Sequence, residues 1–425
     1  MNMKAKNTVI SIVGSAGGVA KSLLAILNKS ILDKKDPIYD TIFNDKIHLI
    51  DVKQKELEYY HNLFSNLVNK LLLHEFDLMD TMTFKKHLEN TKTDIVVDLS
   101  YADTVEMLKC CNELGVKYVN SALENTMIDE NEDLFAGFPL IERIRYFEKF
   151  KKGFTNTSAI VCSGMNPGVV QWMAIELLNK YAQDSPIACY IIEQDTSFFK
   201  DKKLAKKNVI YTTWSPECFL DEAIMSYPML IQHHTPLFLY EQVYNLEFKV
   251  TLGGNQFYGC LMPHEEVYTL CQLYDMEGGF LYKVNEHTTE LIRSHLDDVD
   301  DELWKHEMKV LDPLEAPLKG EDLVGVLLVF KDKERYMYNI LSNDVVFSEY
   351  KTNATYFQVA CGIYASLTVL LLDQIPKGVY YVDELLLTTN NHYAQYLTYY
   401  MTDFVLGENE NTDGCLLNRM RKFRD

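Results

Sequence analysis

The sequence predicts an α/β protein in which an N-terminal parallel sheet is followed by a second α+β domain built on a mixed or antiparallel sheet. Over residues 1–125, short apolar runs alternate with helix-length stretches, as in parallel strands joined by crossover helices. From 187 to 345, strand-like runs follow one another irregularly, which favours a mixed or antiparallel sheet. A chain of 425 residues with 47% apolar residues is long enough for two domains with cores.

The first domain is predicted to contain five strands. A helix over Asp103–Leu114 shows apolar residues at helical spacing and ends at Gly115. The predicted strands, in order, are Thr8–Val13, Lys46–Ile50, Leu71–Phe76, Asp94–Leu99 and Val116–Asn120.

The second region is predicted to open with the strand Ser158–Cys162, a tight turn over Ser163–Gly168 and a helix over Val169–Tyr181. We expect domains at 1–157, 158–358 and 359–425, the last made of helices that return to the first domain. Its helices are predicted at Val359–Leu372 and Tyr396–Val405, before a polar tail from Gly407. A solvated acidic helix is expected over Asp297–His306. The further predicted strands are Ile187–Glu193, Asn208–Trp214, Leu246–Leu252, Gln256–Met262, Leu323–Phe330 and Arg335–Leu341.

The net charge, the cysteines and the apolar runs of the sequence indicate which partners and which cell compartment to expect. A net charge of −20 opposes binding to nucleic acid, because a phosphate-binding groove needs a surplus of Lys and Arg. The same acidity suits a cationic substrate, although broad acidity is more often a matter of solubility. The nine cysteines form no Cys-x-x-Cys pair and are expected to be reduced thiols. Neither a signal segment nor an uninterrupted apolar run of membrane length is found, so we expect a cytoplasmic protein without membrane contact.

A glycine-rich turn follows the first strand and precedes a helix predicted to begin at Lys21. Such a turn lets the backbone approach a pyrophosphate at a helix N-terminus, as in Rossmann-type domains. Asp51, directly after the second strand, would accept hydrogen bonds from an adenosine ribose, which favours NAD over NADP. The expected cofactor-binding residues are Gly14, Ser15, Ala16, Gly17, Gly18, Val19 and Asp51.

The turn is a degenerate form of the usual fingerprint, because Ser15 and Ala20 stand at glycine positions. Asp51 also lies 37 residues after Gly14 rather than about 20. We assign the excess to an insert around Asp33–Asp45, which has a loop-like composition. The alternative is an ordinary strand-to-helix turn with an unrelated strand-end carboxylate.

The order of these parts resembles the saccharopine dehydrogenase-like superfamily and, within it, the bacterial homospermidine synthases. The broader likeness rests on the first glycine turn, the Ser163–Gly168 turn, and Pro376–Val379 before Asp383 and Glu384. The narrower likeness spans nearly the whole chain. Its motifs are Thr213-Trp214-Ser215-Pro216-Glu217 running on to Glu222, Ile192-Glu193-Gln194-Asp195-Thr196, Pro263-His264-Glu265-Glu266, and Asp322 ahead of Gly325-Val326-Leu327-Leu328.

The resemblance implies a transferase that uses NAD as a recycled prosthetic group. Putrescine would lose a hydride and become an imine, a second diamine would displace ammonia, and the returned hydride would give homospermidine. Spermidine is an alternative second substrate. The resemblance places Trp214 over the substrate ammonium or imine, with Glu193, Glu222 and Asp322 around the ammonium groups. A Trp face is a good partner for an ammonium ion, and a cation would offset the cost of burying Asp322.

The remaining expected site residues also come from the resemblance. His264 and Glu266 would form a substrate-site pair, and their spacing puts them on one face of an extended segment. The carboxylate would raise the pKa of His264. Asn166 would lie beside the nicotinamide, and Glu124 would contact substrate or relay protons. We expect no metal, because the adjacent His233 and His234 point in opposite directions on an extended segment.

Two other functions compete with this hypothesis. A saccharopine- or carboxynorspermidine-type dehydrogenase would bind carboxylated substrates and need arginine clamps, whereas the expected site offers Glu and Asp. A regulator or scaffold that binds a nucleotide without catalysis would not need Trp214 and the carboxylates together. A homodimer is the expected assembly.

Overall fold

The computed structural model describes residues 8–296 and 303–423. The strands, numbered in chain order, are β1 Val9–Val13, β2 Lys46–Asp51, β3 Leu71–Glu75, β4 Ile95–Asp98, β5 Lys117–Asn120, β6 Ser158–Val161, β7 Ala188–Asp195, β8 Phe198–Phe199, β9 Val209–Thr212, β10 Met229–Gln232, β11 Thr235–Phe238, β12 Leu246–Leu252, β13 Asn255–Met262, β14 Glu277–Lys283, β15 Glu307–Val310, β16 Leu318–Lys319, β17 Glu321–Val329, β18 Glu334–Ser342, β19 Gly378–Tyr381, β20 Val405–Asn409 and β21 Met420–Lys422.

The α-helices are numbered in the same way. They are α1 Gly18–Ser30, α2 Tyr39–Asn44, α3 Leu57–Leu63, α4 Thr81–Thr91, α5 Thr104–Leu114, α6 Thr126–Asp129, α7 Glu132–Phe135, α8 Pro139–Lys151, α9 Val169–Lys180, α10 Pro216–Ile224, α11 Glu265–Leu273, α12 Glu286–Arg293, α13 Asn343–Tyr350, α14 Ala354–Leu372, α15 Val382–Thr388, α16 Tyr393–Tyr400 and α17 Leu416–Arg419.

The chain divides into two compact units, each made of three segments. The first unit comprises Met1–Thr126, Arg145–Gly168 and Phe357–Met401. The second unit comprises Met127–Ile144, Val169–Tyr356 and Thr402–Asp425.

The first unit is built on a seven-stranded parallel sheet in the order β19-β6-β5-β4-β1-β2-β3. The five strands predicted at the N-terminus are all present. Two further strands extend the sheet: β6, which we had placed at the opening of the second region, pairs with β5, and β19 pairs with β6. The carboxyl ends of parallel strands meet at one edge, where Rossmann-type sheets bind ligands.

The second unit is built on a mixed sheet whose main path is β20-β18-β17-β7-β14-β13-β12-β21. β7 and β14 pair in parallel, whereas β17 pairs antiparallel with both β7 and β18. Alternate side chains of these strands form an apolar core that includes Tyr190, Phe248, Leu281 and Leu327. The central strands β7 and β17 carry Glu193, Asp195 and Asp322.

Several predicted elements differ from the structure. The insert around Asp33–Asp45 is not only a loop, because it contains α2, and Tyr364 and Tyr400 each donate a hydrogen bond to Asp36. The helix predicted over Tyr396–Val405 ends at Tyr400, and Val405 begins a strand that pairs with β18. Residues 297–302 of the predicted acidic helix lie outside the described residues.

Helix α14 is long and apolar enough to cross a membrane by length and composition. Polar residues interrupt its apolar run, which is why the sequence showed no uninterrupted stretch of that length. Most of the helix is buried in the structure, as in the core helix of a globular protein.

Candidate functional site

The glycine-rich turn of the first unit has a backbone shape that requires glycine. Gly14 adopts a φ of 69°, and a Cβ there would stand 2.3 Å from the Leu99 carbonyl oxygen. The Gly17 amide donates to the Gly14 carbonyl at 3.1 Å, which closes the turn, and α1 then begins at Gly18 rather than at Lys21. None of the described side chains caps this helix, and its first turn contains no acidic residue. The turn therefore leaves the positive end of a 13-residue helix for an anionic group.

Asp51 lies beside this turn despite its long separation from Gly14 in sequence. Its Oδ2 accepts a hydrogen bond from the Ala16 amide at 2.9 Å, and its Oδ1 accepts from the Lys53 amide at 3.1 Å. Each carboxylate oxygen has a second lone pair, so both can also accept a hydroxyl hydrogen. The glycine turn, the helix N-terminus and the adjacent carboxylate fit the pyrophosphate and ribose of a dinucleotide.

Two more expected residues, Asn166 and Glu124, belong to the first unit. Asn166 lies in the Ser163–Gly168 turn, which packs closely on α14, since a Cβ on Gly362 would stand 2.0 Å from the Gly164 carbonyl oxygen. Glu124 follows β5 in a loop, where its amide donates to the Thr104 hydroxyl at 3.0 Å. Both residues therefore lie after the carboxyl end of a strand of the parallel sheet.

The second unit brings together three buried carboxylates from two adjoining strands. Glu193 and Asp195 are on β7, and Asp322 is on β17. In the antiparallel register Asp322 lies opposite Asp195, and Glu193 lies opposite Val324. The residue exposures are 4%, 1% and 0% respectively. Asp195 was not among the predicted site residues, although its spacing of two from Glu193 puts both on one face of the strand.

Two threonine hydroxyl groups donate hydrogen bonds to two of these carboxylates. Thr213 donates to Asp195 Oδ2 at 2.6 Å, and Thr355 donates to Asp322 Oδ2 at 2.6 Å. Burial raises the pKa of Asp322 well above its usual value, and the charges of Glu193 and Asp195 raise it further. Burial also raises the pKa of Asp195, against the hydrogen bonds from Ser197 and Thr213. A bound cation would offset both effects, because it favours the ionised carboxylates.

Trp214 stands directly after β9, on the turn that leads into α10. It is half-buried, and its indole Nε1 donates to the Tyr282 hydroxyl at 3.3 Å. Phe219 packs edge-on against both Trp214 and Tyr282. The pKa of Tyr282 is raised well above its usual value, first by burial and then by Glu193, Asp195 and Asp322. These aromatic rings therefore adjoin the carboxylate cluster.

His264 and Glu266 form a hydrogen-bonded pair, but their geometry differs from the expected extended face. His264 is the N-cap of α11 and Glu266 lies in its first turn, so the helix start brings His264 Nδ1 to Glu266 Oε2. Both side chains are buried. Burial alone would lower the pKa of His264, but Glu266, Glu222 and Glu265 raise it to about 10. Near neutral pH His264 is therefore an imidazolium.

Glu222 lies near this pair, on α10. Burial raises the pKa of its carboxyl group to about 8, which the positive charge of His264 opposes. Its Oε2 is buried and makes no hydrogen bond within the described residues. A neutral carboxylic acid is thus held where a ligand cation could ionise it.

The aromatic residues of β14 connect the two acidic groups. Phe280 and Tyr282 stack on one face of the strand with centroids 5.8 Å apart, and the His264 ring lies 4.6 Å from Phe280. Tyr282 adjoins Glu193, Asp195 and Asp322. Phe280 adjoins His264, which is paired with Glu266. The arrangement therefore places two aromatic rings between two groups of buried acidic side chains.

His264, Glu265 and Glu266 also offer three potential metal-ligand atoms within 4.8 Å of one another. A histidine side chain must be neutral to bind a metal ion. The raised pKa of His264 instead favours a proton on that ring. The ring would therefore have to lose a proton before it could bind a metal ion.

The arginine side chains of the second unit bear on whether it could bind a carboxylated ligand. Every arginine of this unit that the structure describes is paired with a carboxylate: Arg143 with Asp129 and Asp221, Arg293 and Arg421 with Glu247, Arg335 with Asp184 and Glu408, and Arg419 with Glu334.

Comparisons with known proteins add information on the fold. No family model and no curated protein sequence matches the chain. Among solved structures, it is similar to saccharopine dehydrogenase (L-Glu forming) from Saccharomyces cerevisiae, with a TM-score of 0.57 and 11% identity over 95% of this chain and 99% of that chain. The predicted fold class is confirmed, and the chain has a saccharopine dehydrogenase fold.

A second solved structure, UDP-glucose 4-epimerase from Bifidobacterium longum, matches 36% of this chain and 52% of its own. Its identity is 10% and its TM-score is 0.26, which is too low to support an argument about function.

Proposed function

We propose that this protein is an NAD-dependent homospermidine synthase that joins two putrescines, or putrescine and spermidine. With two putrescines, the carbon next to one amine of the first putrescine gives up a hydride and becomes an imine. The amine of the second putrescine adds to this carbon, ammonia leaves, and the hydride returns. The net reaction converts two putrescines into one homospermidine and one ammonia, with no net oxidation or reduction. The fold and the composition of both units support this reading.

The observation that carries the proposal is the carboxylate cluster of Glu193, Asp195 and Asp322 next to Trp214 and Tyr282. Burying three acidic groups together is costly unless a cation accompanies them. The distal ammonium of a diamine has the required charge, and the indole face adds a cation–π contact worth about 0.5–2 kcal/mol. The sequence resemblance had selected three of these five residues independently of their geometry.

The rival within the same fold would bind carboxylated substrates. The similar solved structure is a saccharopine dehydrogenase, so this alternative has a specific basis. Bidentate recognition of a substrate carboxylate by arginine needs a guanidinium group that is not committed elsewhere. The described arginines of the second unit are all paired with protein carboxylates, which favours a cationic substrate.

The first unit supplies the proposed cofactor site. Bound NAD would supply the acceptor and later the donor of the hydride. The Gly14–Gly18 turn would hold the pyrophosphate at the start of α1, and Asp51 would hold the adenosine ribose. A carboxylate at that position would repel the 2′-phosphate of NADP, so we assign NAD.

His264 and Glu266 are proposed to hold the proton that departing ammonia requires. Because Nδ1 of His264 faces Glu266, its Nε2 is the nitrogen that can pass a proton to the substrate. The charge of a bound ammonium would lower the pKa of His264 from about 10 toward the operating pH, where proton transfer is most effective. Glu222 would take up the charge of the second ammonium. Asn166 and Glu124 remain predicted contacts of the cofactor and substrate, and a cytoplasmic homodimer remains the predicted assembly.

The proposal is tested by incubating purified protein with putrescine and a trace of NAD, with homospermidine and ammonia measured by chromatography. We expect the two products in equal amounts and in large excess over NAD. Asp322→Asn should reduce turnover, whereas Glu176→Gln, which removes an exposed carboxylate on α9, should not. Steady accumulation of NADH, or turnover only with a carboxylated amine, would overturn the proposal.

A further inference from the structure

Three histidines that belong to neither the proposed cofactor site nor the proposed substrate site meet in the first unit. His48 is on β2, His74 is on the edge strand β3, and His87 is on α4, which packs over them. Their ligand nitrogens all lie within 4.8 Å of one another. His48 Nδ1 and His74 Nε2 are 2.8 Å apart, and the ring centroids of His74 and His87 are 4.6 Å apart.

The strand register explains how the first two side chains meet. His48 pairs with Leu72, and Ile50 pairs with His74, so the two histidines lie diagonally on one face of the sheet. Ser11 of β1 pairs with His48, and its hydroxyl lies 3.3 Å from His87 Nε2. The three rings and this hydroxyl therefore lie together between the sheet and α4.

Histidine is a common metal ligand in proteins, because a neutral imidazole has a lone pair on one nitrogen. Each of the three rings offers one such nitrogen, and these nitrogens lie within 4.8 Å of one another.

The site has the dimensions and access that a metal ion needs. Two nitrogens of a tetrahedral zinc site are about 3.3 Å apart, given bond lengths of about 2.0–2.1 Å. The separation of 2.8 Å between His48 Nδ1 and His74 Nε2 is below this spacing, and the upper limit of 4.8 Å for the set is above it. His48 and His87 are each 8% exposed, whereas His74 is half-buried on the edge strand, which provides a route for the ion.

We propose that His48, His74 and His87 form a binding site for a borderline divalent transition metal such as Zn²⁺. Three neutral imidazoles suit this class of ion better than Mg²⁺ or Ca²⁺, which prefer oxygen ligands. The fourth position would be taken by water or by the Ser11 hydroxyl. The ion would fasten the edge strand β3 and α4 to the middle of the sheet.

The test uses tag-free full-length protein, because a histidine tag would itself bind the ion. After treatment with a chelator, the protein is titrated with Zn²⁺ by calorimetry and with Co²⁺ by visible absorption. We expect one equivalent of Zn²⁺ per chain, a rise in Tm on binding, and the intense Co²⁺ bands of a tetrahedral site. His74→Asn and His87→Asn should weaken binding by on the order of 100-fold, given the loss of one ligand in three.

His61→Asn is the matched control, because His61 is exposed on α3 in the same unit. It should bind Zn²⁺ as the unmodified protein does. Should the cluster variants fail to fold, imidazole ¹⁵N spectra of the unmodified protein still decide, because Zn²⁺ must shift three histidines together. Binding well below one equivalent, or binding that both cluster variants retain, would overturn the proposal and identify the cluster as a neutral hydrogen-bonded network.

Discussion

Asp195 and Asp322 lie directly opposite each other on β7 and β17, and both are almost completely buried. Two carboxylates in this arrangement cannot both ionise without a large cost unless a positive charge joins them. The hydroxyls of Thr213 and Thr355 satisfy one oxygen of each but supply no charge. The proposed substrate would supply the positive charge that this buried pair needs.

Replacing one carboxylate of this pair should separate stability from activity. Asp322→Asn removes like-charge repulsion from a buried site, so we expect the Tm without ligand to be unchanged or higher. Loss of a charge-assisted hydrogen bond to the ammonium should weaken transition-state binding by about 1.5–3 kcal/mol, which lowers kcat/KM about 10- to 150-fold. Differential scanning calorimetry and steady-state kinetics check both parts. An unchanged kcat/KM for putrescine would contradict the assignment.

The contribution of Trp214 should depend on its aromatic face. Trp214→Phe keeps a ring but loses the hydrogen bond to Tyr282, whereas Trp214→Leu loses the ring as well. We expect Trp214→Leu to cost about 0.5–2 kcal/mol more than Trp214→Phe in kcat/KM for putrescine. Equal kinetic effects of the two substitutions would indicate that Trp214 acts only through packing.

The raised pKa of Glu222 predicts a pH-dependent affinity for diamines. Its pKa of about 8 keeps the carboxyl group neutral at pH 7, and a bound ammonium would expel that proton. Affinity should therefore rise with pH by up to about tenfold per unit until pH reaches about 8. Calorimetry in buffers of different ionisation enthalpy should detect release of one proton. In Glu222→Gln this release should disappear; its persistence would assign the proton to another group.

The same group also predicts the direction of a stability change. The folded pKa of Glu222 lies above its usual value of 4.5, so the folded state binds more protons than the unfolded state between these values. The contribution of Glu222 to the free energy of unfolding therefore falls as pH rises from about 4.5 to about 8. Urea denaturation at pH 5 and pH 8 gives the free energy of unfolding of both proteins. The value for Glu222→Gln, relative to the unmodified protein, should be higher at pH 8 than at pH 5. A pH-independent difference would contradict the pKa shift.

Asp51 should determine the choice between NAD and NADP. Asp51→Asn removes the negative charge while keeping an oxygen that can accept from the Ala16 amide. We expect weaker NAD binding by about 1–3 kcal/mol and a smaller preference over NADP. Titrations with NAD and with NADP, detected through the quenching of tryptophan fluorescence, measure this change. An unaltered preference would show that Asp51 does not face the ribose.

The parts of the molecule that the sequence predicts are those with a local signal. The parallel strands follow from alternating apolar runs and a glycine turn, and Glu193, Trp214 and Asp322 follow from a family resemblance. Asp195 also had a local signal, because its spacing of two from Glu193 puts both side chains on one face of a strand. The pairing of His264 with Glu266 was expected from an extended segment, whereas a helix N-terminus provides it.

Other features depend on contacts between distant segments. His48 and His74 are 26 residues apart on two strands, and His87 reaches them from a helix, so no motif spacing marks the cluster. The strand β19 joins the parallel sheet beside β6 from far along the chain. Such relationships arise from tertiary packing, which local periodicity does not encode.

The most direct measurement of the proposed function follows the hydrogen that leaves putrescine. The protein is incubated with 1,1,4,4-tetradeuterated putrescine and an excess of unlabelled NADH over a trace of NAD, and homospermidine is examined by mass spectrometry. Return of the same hydrogen to the same carbon predicts a product that retains all eight deuterium atoms of its two precursors. A product with seven deuterium atoms, or no homospermidine, would contradict the account.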